Sequence, residues 1–467
     1  MHTLRVILAL GPFVVSILRD QRRWIGWGPR LVRTPAFHAR RAERLVARVA
    51  ALGPTFVKLA QVFSARADLI PEPYLSQLGT LTDRVPPVPW PAIQRQILAA
   101  YGEGAETLFT SIDPEPVAAA SLGQVHRARW RGRDVAVKVL RPGIEEAVAR
   151  DIVSARAISH WAVRRWPIPH VMGFAALVEE FAARVSEEMD FRLEGEYATE
   201  VRNNFAGNPR LVIPEVMHEM TRQRVLVLEY VMGTRVDRLA KDGVDARRLS
   251  GGVIEAYVQM MLVDGLFHAD PHPGNLLVAP DGRLVLLDFG MMVRVPPALR
   301  LKLIRTVFAS IRRDPQGVAA GFYDLGLVAP GTDPEEIARL AELLVRMANE
   351  RNTTQQRIEA MVTNRIMTSL YDFPVILPRD LVYFARTAAL IEGIGTKYDP
   401  YYNAIEVGTP IVMRMRSRIL KSLGEEVQPS VEEVAAVAGW AMGRAWRGAQ
   451  EWFERLTVAT PVVTRDP

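Results

Sequence analysis

Apolar positions along this chain change period several times, and each change marks an element. Asp134-Val135-Ala136-Val137-Lys138 alternates with a period of two, as a half-buried strand does, and Leu226–Met232 reads as another strand. Leu276-Leu277-Val278 and Leu284-Val285-Leu286-Leu287 flank Asp281-Gly282, which predicts a hairpin with a two-residue turn. Helical spacing governs the segment around Lys58, then Ala92–Tyr101, Ala175–Phe205, Leu249–Asp264 and Pro297–Ala389. Ser430-x-x-Glu433 is a capping box that opens a last helix running to about Leu456. Pro86–Pro91 (PPVPWP) separates the Lys58 helices from the Ala92 helix. Strands gathered in one part and helices in the rest predict an α+β architecture of two lobes, with helices added at both ends.

Composition narrows this picture. A chain of 467 residues with 49% apolar residues exceeds one hydrophobic core and has ample material to bury. It has no cysteine, which excludes disulfides and thiolate metal sites. The net charge of +6 is modest, and no nucleic-acid partner is expected from it, but the charge is unevenly placed. Residues 1–42 carry eight arginines and a single acid, Asp20, around the apolar run Val6–Leu18. Gly11-Pro12 interrupts that run of thirteen residues, which falls short of the ~20 a spanning helix needs. An interfacial helix on an anionic membrane fits this pattern; burial against the protein and an organellar transit peptide are the alternatives. Arg414, Arg416, Arg418 and Lys421 mark a second basic segment. The final helix mixes Trp440, Trp446 and Trp452 with seven charged residues, so it is expected not to span a bilayer.

Candidate chemistry concentrates in Phe267–Gly290, FHADPHPGNLLVAPDGRLVLLDFG. His268, Asp270 and Asn275 form H-x-D-x-x-x-x-N, and Asp288-Phe289-Gly290 follows across the hairpin. This is the spacing of a kinase catalytic loop and its metal-binding turn. Phosphoryl transfer needs one carboxylate to orient or deprotonate the nucleophile, here Asp270. It needs an amide and a second carboxylate to hold Mg²⁺ on the triphosphate, here Asn275 and Asp288. Lys138, ending VAVK, is placed to pair the phosphates of ATP or ADP. Upstream, Ala118, Ala119, Ala120, Ser121, Leu122, Gly123, Gln124 and Val125 occupy the place of a glycine-rich phosphate loop, with alanines where glycines are expected. Glu229 and Val231 lie on the strand leading to the inter-lobe hinge and are candidate nucleotide contacts. Glu188, Asp190 and Glu194 lie on one predicted acidic helix, where Glu187, Asp190 and Glu194 share a face. One of the acids pairs Lys138, and Glu194 is assigned that role.

These motifs, in this order, resemble the UbiB family, the ABC1/ADCK-like atypical kinases, over about Leu52 to Pro400. LGPTFVKLAQVFSARADLIP, AAASLGQVHRA, VAVK, EMDFRLE, HADPHPGN, LDFGM and IEGIGTKYDP carry the resemblance. The family's K-x-G-Q signature reads Lys58-Leu59-Ala60-Gln61, with alanine for glycine. The resemblance implies a two-lobed protein-kinase-like fold in which Lys58 and Gln61 lie over the cleft and obstruct protein substrates. Glu188 and Asp190 are then the natural partners of Lys58, since a cation over a partly dry cleft needs a counter-charge. It also implies an ATPase or small-molecule kinase role in isoprenoid-quinone biosynthesis, with a lipid or quinone precursor and pathway enzymes as partners. A weakly catalytic scaffold or lipid-binding chaperone is the alternative, as is a phosphotransferase of the aminoglycoside or choline kinase type. Many relatives end in apolar spanning helices, and this tail departs from them; peripheral attachment at the cytoplasmic face is expected. The expected layout is a basic extension over 1–50, a helical extension over 51–107, a small lobe over 108–232, a large lobe over 233–400 and a helical tail over 401–467.

Overall fold

The computed structural model describes residues 2–21, 31, 33–64, 70, 73–81, 85–102, 105–166, 169–240, 246–269, 272–328, 331–349, 379–399 and 401–423. Asp270 and the predicted Ser430–Leu456 helix lie outside these residues.

Four helices come first: α1 (His2–Gln21), α2 (Pro35–Leu52), α3 (Pro54–Ser64) and the short α4 (Tyr74–Gly79). Pro54 occupies the first position of α3, where its missing N–H costs nothing, and Gly53 makes the bend from α2 at φ 118°. The extension is pinned through Arg41, which is buried. Its guanidinium donates to Ser16 Oγ at 2.9 Å, to the Asp20 carboxylate and to the Tyr74 hydroxyl. Helix α1 is continuous through Pro12 and buries Val6 against α2 and α7. Its other side leaves Leu4, Ile7, Leu8, Val14 and Val15 exposed. One side of the helix is therefore buried against the protein, and the other is an exposed apolar stripe.

After α5 (Trp90–Tyr101) and the turn α6 (Ala105–Leu108), the chain forms β1 (Ser111–Ala119), β2 (Gly123–Trp130) and β3 (Arg133–Leu140). Helices α7 (Ile144–Arg165), α8 (Pro169–Glu188) and α9 (Phe191–Asn204) precede β4 (Leu211–Val212) and β5 (Val225–Glu229). The antiparallel order β1-β2-β3-β5 makes the small-lobe sheet. Its rear face packs Ala128, Trp130, Val135, Val137, Val225 and Val227 on Ile93 and Ile97 of α5. Gly123 starts β2 where a Cβ would lie 2.9 Å from the Val139 carbonyl oxygen and 3.3 Å from the Phe191 ring, a close approach that excludes other residues.

Past Gly233, β6 (Thr234–Arg235), β8 (Leu276–Val278), β9 (Leu284–Leu286) and β4 form a second sheet. A third pairing joins β7 (Leu266–His268) to β10 (Met292–Arg294). Ala279 N–H bonds the Arg283 carbonyl at 2.9 Å, so the hairpin loop is Pro280-Asp281-Gly282, one residue longer than expected, with Gly282 at φ 82°. Helix α10 (Ala246–Val258) runs into a π-helical turn, Gln259–Asp264, just before β7. Within the expected Pro297–Ala389 helical stretch, the described residues form α11 (Pro297–Ile311), α12 (Pro315–Asp324), α13 (Pro334–Asn349) and α14 (Arg379–Tyr398). Helix α15 (Ala404–Lys421) follows, capped by Asn403 Oδ1, and packs on α10. Among the described residues, no helix is long and apolar enough to cross a membrane.

Two glycines of α14 give a paired test of this packing. A Cβ on Gly395 would lie 2.1 Å from the Tyr402 ring, whereas Gly393 has nothing within 4 Å. Gly395→Ala should lower unfolding free energy by about 1–3 kcal/mol, the cost of overpacking. Gly393→Ala should instead be neutral or raise it by about 0.5–1 kcal/mol, since alanine is the better helix former. Urea unfolding of both variants checks the contrast; equal effects would mean that α14 does not cross Tyr402 as described.

Candidate active site

Strand alternation decides which small-lobe side chains face the inter-lobe cleft. Val125, Lys138 and Leu226 are register partners across β2, β3 and β5, so their side chains share one face. Lys138 Nζ donates to Glu194 Oε1 and Oε2 at 2.7 and 2.8 Å and to Asp288 Oδ1 at 3.2 Å. Glu194, on the first turn of α9, is 3% exposed. The assignment of Glu194 as the lysine's partner thus has direct geometric support.

The acidic helix differs from expectation. It ends at Glu188 and restarts at Phe191, with Asp190 in extended conformation as the N-cap of α9. Asp190 Oδ1 accepts from the Arg192 N–H at 3.1 Å, and the Arg192 guanidinium binds the carboxylate again at 2.6 Å. That side-chain bond holds the Asp190 carboxyl below its ordinary value. Asp190 is therefore a capping residue and does not serve Lys58; Asp is favoured at N-caps for this bond, so the period alone could not reveal the break. Glu188, nine-tenths buried, does take the role and pairs with Lys58 Nζ. Gln61 Nε2, one turn further along α3, donates to the Leu81 carbonyl at 3.1 Å. Ala60 is buried in the main core, so its methyl is accommodated where the family has glycine.

The large lobe brings the other half of the site. His268 is buried, and its Nε2–H donates to the Asp288 carbonyl, which fixes the tautomer because a carbonyl only accepts. The same ring meets Phe289 edge-on, with centroids 6.4 Å apart. Asn275 ends the turn Pro273–Asn275, and its carbonyl accepts from Leu287 N–H at 2.8 Å, so it stands beside Asp288 at neighbouring strand ends. Asp288 adopts φ 62°, a left-handed conformation uncommon outside glycine and tolerated best by Asp and Asn. Strained backbone of this kind costs about 1–3 kcal/mol and clusters at functional sites. His272 Nδ1 accepts from Gly274 N–H at 3.0 Å and serves the turn.

Two of the expected nucleotide contacts face elsewhere. Gln124 precedes the cleft-facing Val125 by one residue and so points to the rear of the sheet. There its amide brackets Val88, accepting from the N–H at 2.8 Å and donating to the carbonyl at 3.3 Å, and meets His126 Nε2 at 2.8 Å. Glu229 donates its N–H to the Glu215 carbonyl at 2.7 Å and accepts from Glu215 N–H at 3.2 Å, tying β5 to that segment. Val231 is partly buried against Leu277, Ala279 and Val285. Ala118 and Ala119 end β1, and the loop turns tightly, with Ala120 N–H bonded to the Gly123 carbonyl and both Ser121 and Leu122 buried.

Sequence reasoning missed Arg141. Its Nε donates to the Ala120 carbonyl at 2.8 Å, and its Nη2 to the carbonyls of Val85 and Pro86 at 3.3 and 3.0 Å. It fastens the alanine loop to the 85–89 linker. An arginine directly after the lysine strand is the only trace of this in the chain.

Electrostatics separate the two carboxylates that hold Lys138. Burial, opposed by Lys138, pushes the Glu194 carboxyl up to about 7. For Asp288 burial also acts upward, yet Lys138, the His268 ring and Lys58 outweigh it and hold the carboxyl well below the usual range. Its side chain is 47% exposed to the cleft, so water screens part of this. Burial disfavours the Lys138 ammonium, but Asp288 and Glu194 overcome it and keep the lysine charged. For Glu194 the folded state binds a proton more tightly than the unfolded chain, whose ordinary value is 4.5. Stability from this group therefore increases as pH falls from about 7 toward 4.5 and is lost as pH rises through 7. Thermal unfolding of wild type and Glu194→Gln across that window should show a wild-type advantage growing toward acid. A constant difference would mean that Glu194 stays ionised throughout.

The profile of the ABC1 atypical kinase-like domain matches residues 80–322. Among curated proteins, the chain is 32% identical over 434 residues to sll0005 of Synechocystis, covering 92% of this chain and 62% of that one. It is 32% identical over 418 residues to the chloroplastic ACTIVITY OF BC1 COMPLEX KINASE 3 of Arabidopsis thaliana, covering 88% and 57%. The chain thus spans less than two thirds of these relatives' own length. Synechocystis slr1919 is 31% identical and covered over 72% of its length. The Mycobacterium tuberculosis protein Rv3197, solved as a complex with erythromycin, superposes with a TM-score of 0.55 at 25% identity, covering 78% of this chain and 97% of that one. With the Lys138–Glu194–Asp288 constellation on a kinase-like fold and relatives of this kind, the chain belongs to the ABC1/UbiB family of atypical kinase-like proteins.

Proposed function

We propose that this chain is an ATP-dependent phosphotransferase or ATPase that binds Mg-nucleotide between its lobes. The observation that carries the reading is Lys138 held between a buried Glu194 and the half-exposed, ionised Asp288, with Asn275 alongside. These donors fit a hard divalent cation: one anionic and one amide oxygen donor at adjacent strand ends, with no thiolate or imidazole aimed at it among the described residues. Bound Mg²⁺ would be held by Asn275 and Asp288 and would neutralise charge on the phosphates. Lys138, freed in part from Asp288, contacts the α/β-phosphates, while Glu194 keeps its ammonium in place. Asp270, next to the buried His268-Ala269 pair, orients the nucleophile.

Lys58, paired with Glu188 and within electrostatic reach of Asp288, favours a small acceptor or water over a polypeptide. Isoprenoid-quinone biosynthesis at a membrane is the physiological setting we assign, and the exposed stripe Leu4, Ile7, Leu8, Val14 and Val15 on α1 supports peripheral attachment. The flanking Arg5 and Arg19 on that helix match an anionic surface, each contributing on the order of 1 kcal/mol.

Asp288→Asn, which tolerates the same backbone, should abolish Mg-dependent nucleotide binding and turnover. Asp270→Asn should lower turnover by about 10²-fold or more while leaving nucleotide affinity nearly intact. Nucleotide titration and ATPase assays with and without Mg²⁺ check both; undiminished Mg-nucleotide affinity in Asp288→Asn would refute the reading. In flotation with anionic liposomes, Leu4→Asp/Leu8→Asp should lose the vesicle-bound fraction, and salt should weaken wild-type binding. Equal flotation of the two proteins would remove α1 from membrane attachment.

A further inference from the structure

Of the motifs that carry the family resemblance, IEGIGTKYDP takes no part in the chemistry proposed above. Its Lys397 and Tyr398 close α14 and reach the turn that follows β6. Lys397 Nζ donates to the carbonyls of Val236 and Asp237 at 3.3 and 3.0 Å. The Tyr398 hydroxyl donates to the Val236 carbonyl at 2.6 Å. Both carbonyls belong to the 3₁₀ turn Val236–Arg238, and the Val236 side chain is fully buried. Hydrogen bonds from α14 and burial therefore fix this turn together.

Arg235, the last residue of β6, is oriented by that turn. Its Nε and Nη2 donate to Asp237 Oδ1 and Oδ2 at 3.0 and 2.8 Å, the two-pronged fit of a guanidinium to a carboxylate. So held, the guanidinium lies against Gly274: a Cβ there would stand 2.5 Å from Nη2 and 3.2 Å from Cζ. Gly274 is the middle residue of the turn Pro273–Asn275, and Asn275 is the metal-ligand candidate. Asn275 is thus braced by the hydrogen bond from Leu287 N–H to its carbonyl and, one residue away, by the contact with Arg235. The Arg235 and Asp237 side chains are 28% and 21% exposed, and an ion pair that open to water adds little to stability. Position accounts for this pair better than stability does.

We propose that Arg235 is a positioning residue for Asn275, an inference that rests on the Mg-nucleotide reading above. Mg²⁺ demands near-ideal octahedral geometry, so each oxygen ligand must be brought to a fixed point. Asn275 ends a turn of only three residues, and whatever holds the turn holds the ligand. Groups that orient metal ligands from behind are worth about 10–100-fold in metal affinity. Asp237 already balances the Arg235 charge, so the guanidinium acts here through its flat, forked shape. A lysine carries the same charge but lacks the fork. The end of α14 reaches the site through this chain of contacts, from Lys397 and Tyr398 to the 236–238 turn, to Arg235 and to Gly274.

The test titrates the full chain calorimetrically with a non-hydrolysable ATP analogue, with and without Mg²⁺, as wild type, Arg235→Ala and Arg235→Lys. The quantity read is the gain in nucleotide affinity on adding Mg²⁺. Both variants should keep the wild-type Tm and the Mg-free affinity, and both should lose about tenfold or more of the gain. A wild-type gain in either variant overturns the inference. So does a loss of equal size with and without Mg²⁺, which would make Arg235 a direct contact of the nucleotide instead. If the wild type itself gains nothing from Mg²⁺, the Mg-nucleotide reading fails and this inference falls with it. A normal wild-type gain that survives in the variants overturns the role of Arg235 alone.

Discussion

Lys138 is a cation on a buried strand that two carboxylates from different parts of the chain must reach at once. Glu194 arrives from α9 and Asp288 from the end of the β8–β9 hairpin, so the contact joins the two lobes. A lone ammonium there would be strongly disfavoured, and removing one partner of a buried pair typically costs about 3–5 kcal/mol. Much else in the structure holds these groups still. The break at Asp190 aims Glu194 inward, His268 grips the Asp288 backbone from below, and Asp288 accepts a left-handed φ to turn its carboxylate toward the lysine.

The two carboxylates differ in environment, and the difference suits them to the different tasks proposed for them. Glu194 is enclosed and pushed toward the neutral form, so it has little reason to take a metal ion and every reason to stay with the lysine. Asp288 is open to the cleft and held ionised, as a metal ligand must be. Pairs of titratable groups whose surroundings push them apart are a mark of acid–base and metal chemistry. Here the separation arises from burial on one side and three neighbouring cations or donors on the other.

The order of the chemical motifs was legible in the sequence because it follows from short-range signals, and the kinase-like fold because those motifs resemble a known family's. VAVK alternates, the hairpin has its turn residues, and H-x-D-x-x-x-x-N fixes its own spacing. What escaped were features set by contacts between distant segments. Asp190 is acidic and on the right helical phase, yet a cap and a counter-ion look identical until the helix is seen to stop. Gln124 sits within the phosphate-loop motif, but strand alternation turns it to the rear, and only the position of Val88 gives its amide something to hold. Whether α1 faces solvent or protein could not be settled from its apolar run, because the helix is apolar on both sides.

The segment before the small lobe belongs to that lobe more closely than a boundary at residue 108 suggests. Trp90 packs on His126 at 5.1 Å, Gln124 completes its hydrogen bonds on Val88, and Arg141 ties Val85 and Pro86 to the alanine loop. Ile93 and Ile97 of α5 close the rear of the β-sheet. Removing residues before 108 would strip a buried arginine and a buried glutamine of their partners and uncover the valines of β3 and β5. The loop that stands where nucleotide phosphates are expected is thus braced from behind by the extension. With alanines instead of glycines, it lacks the backbone freedom to move independently. Its position is set by Arg141 and the linker, which makes the extension a structural part of the small lobe as well as the source of the helix whose Lys58 pairs with Glu188.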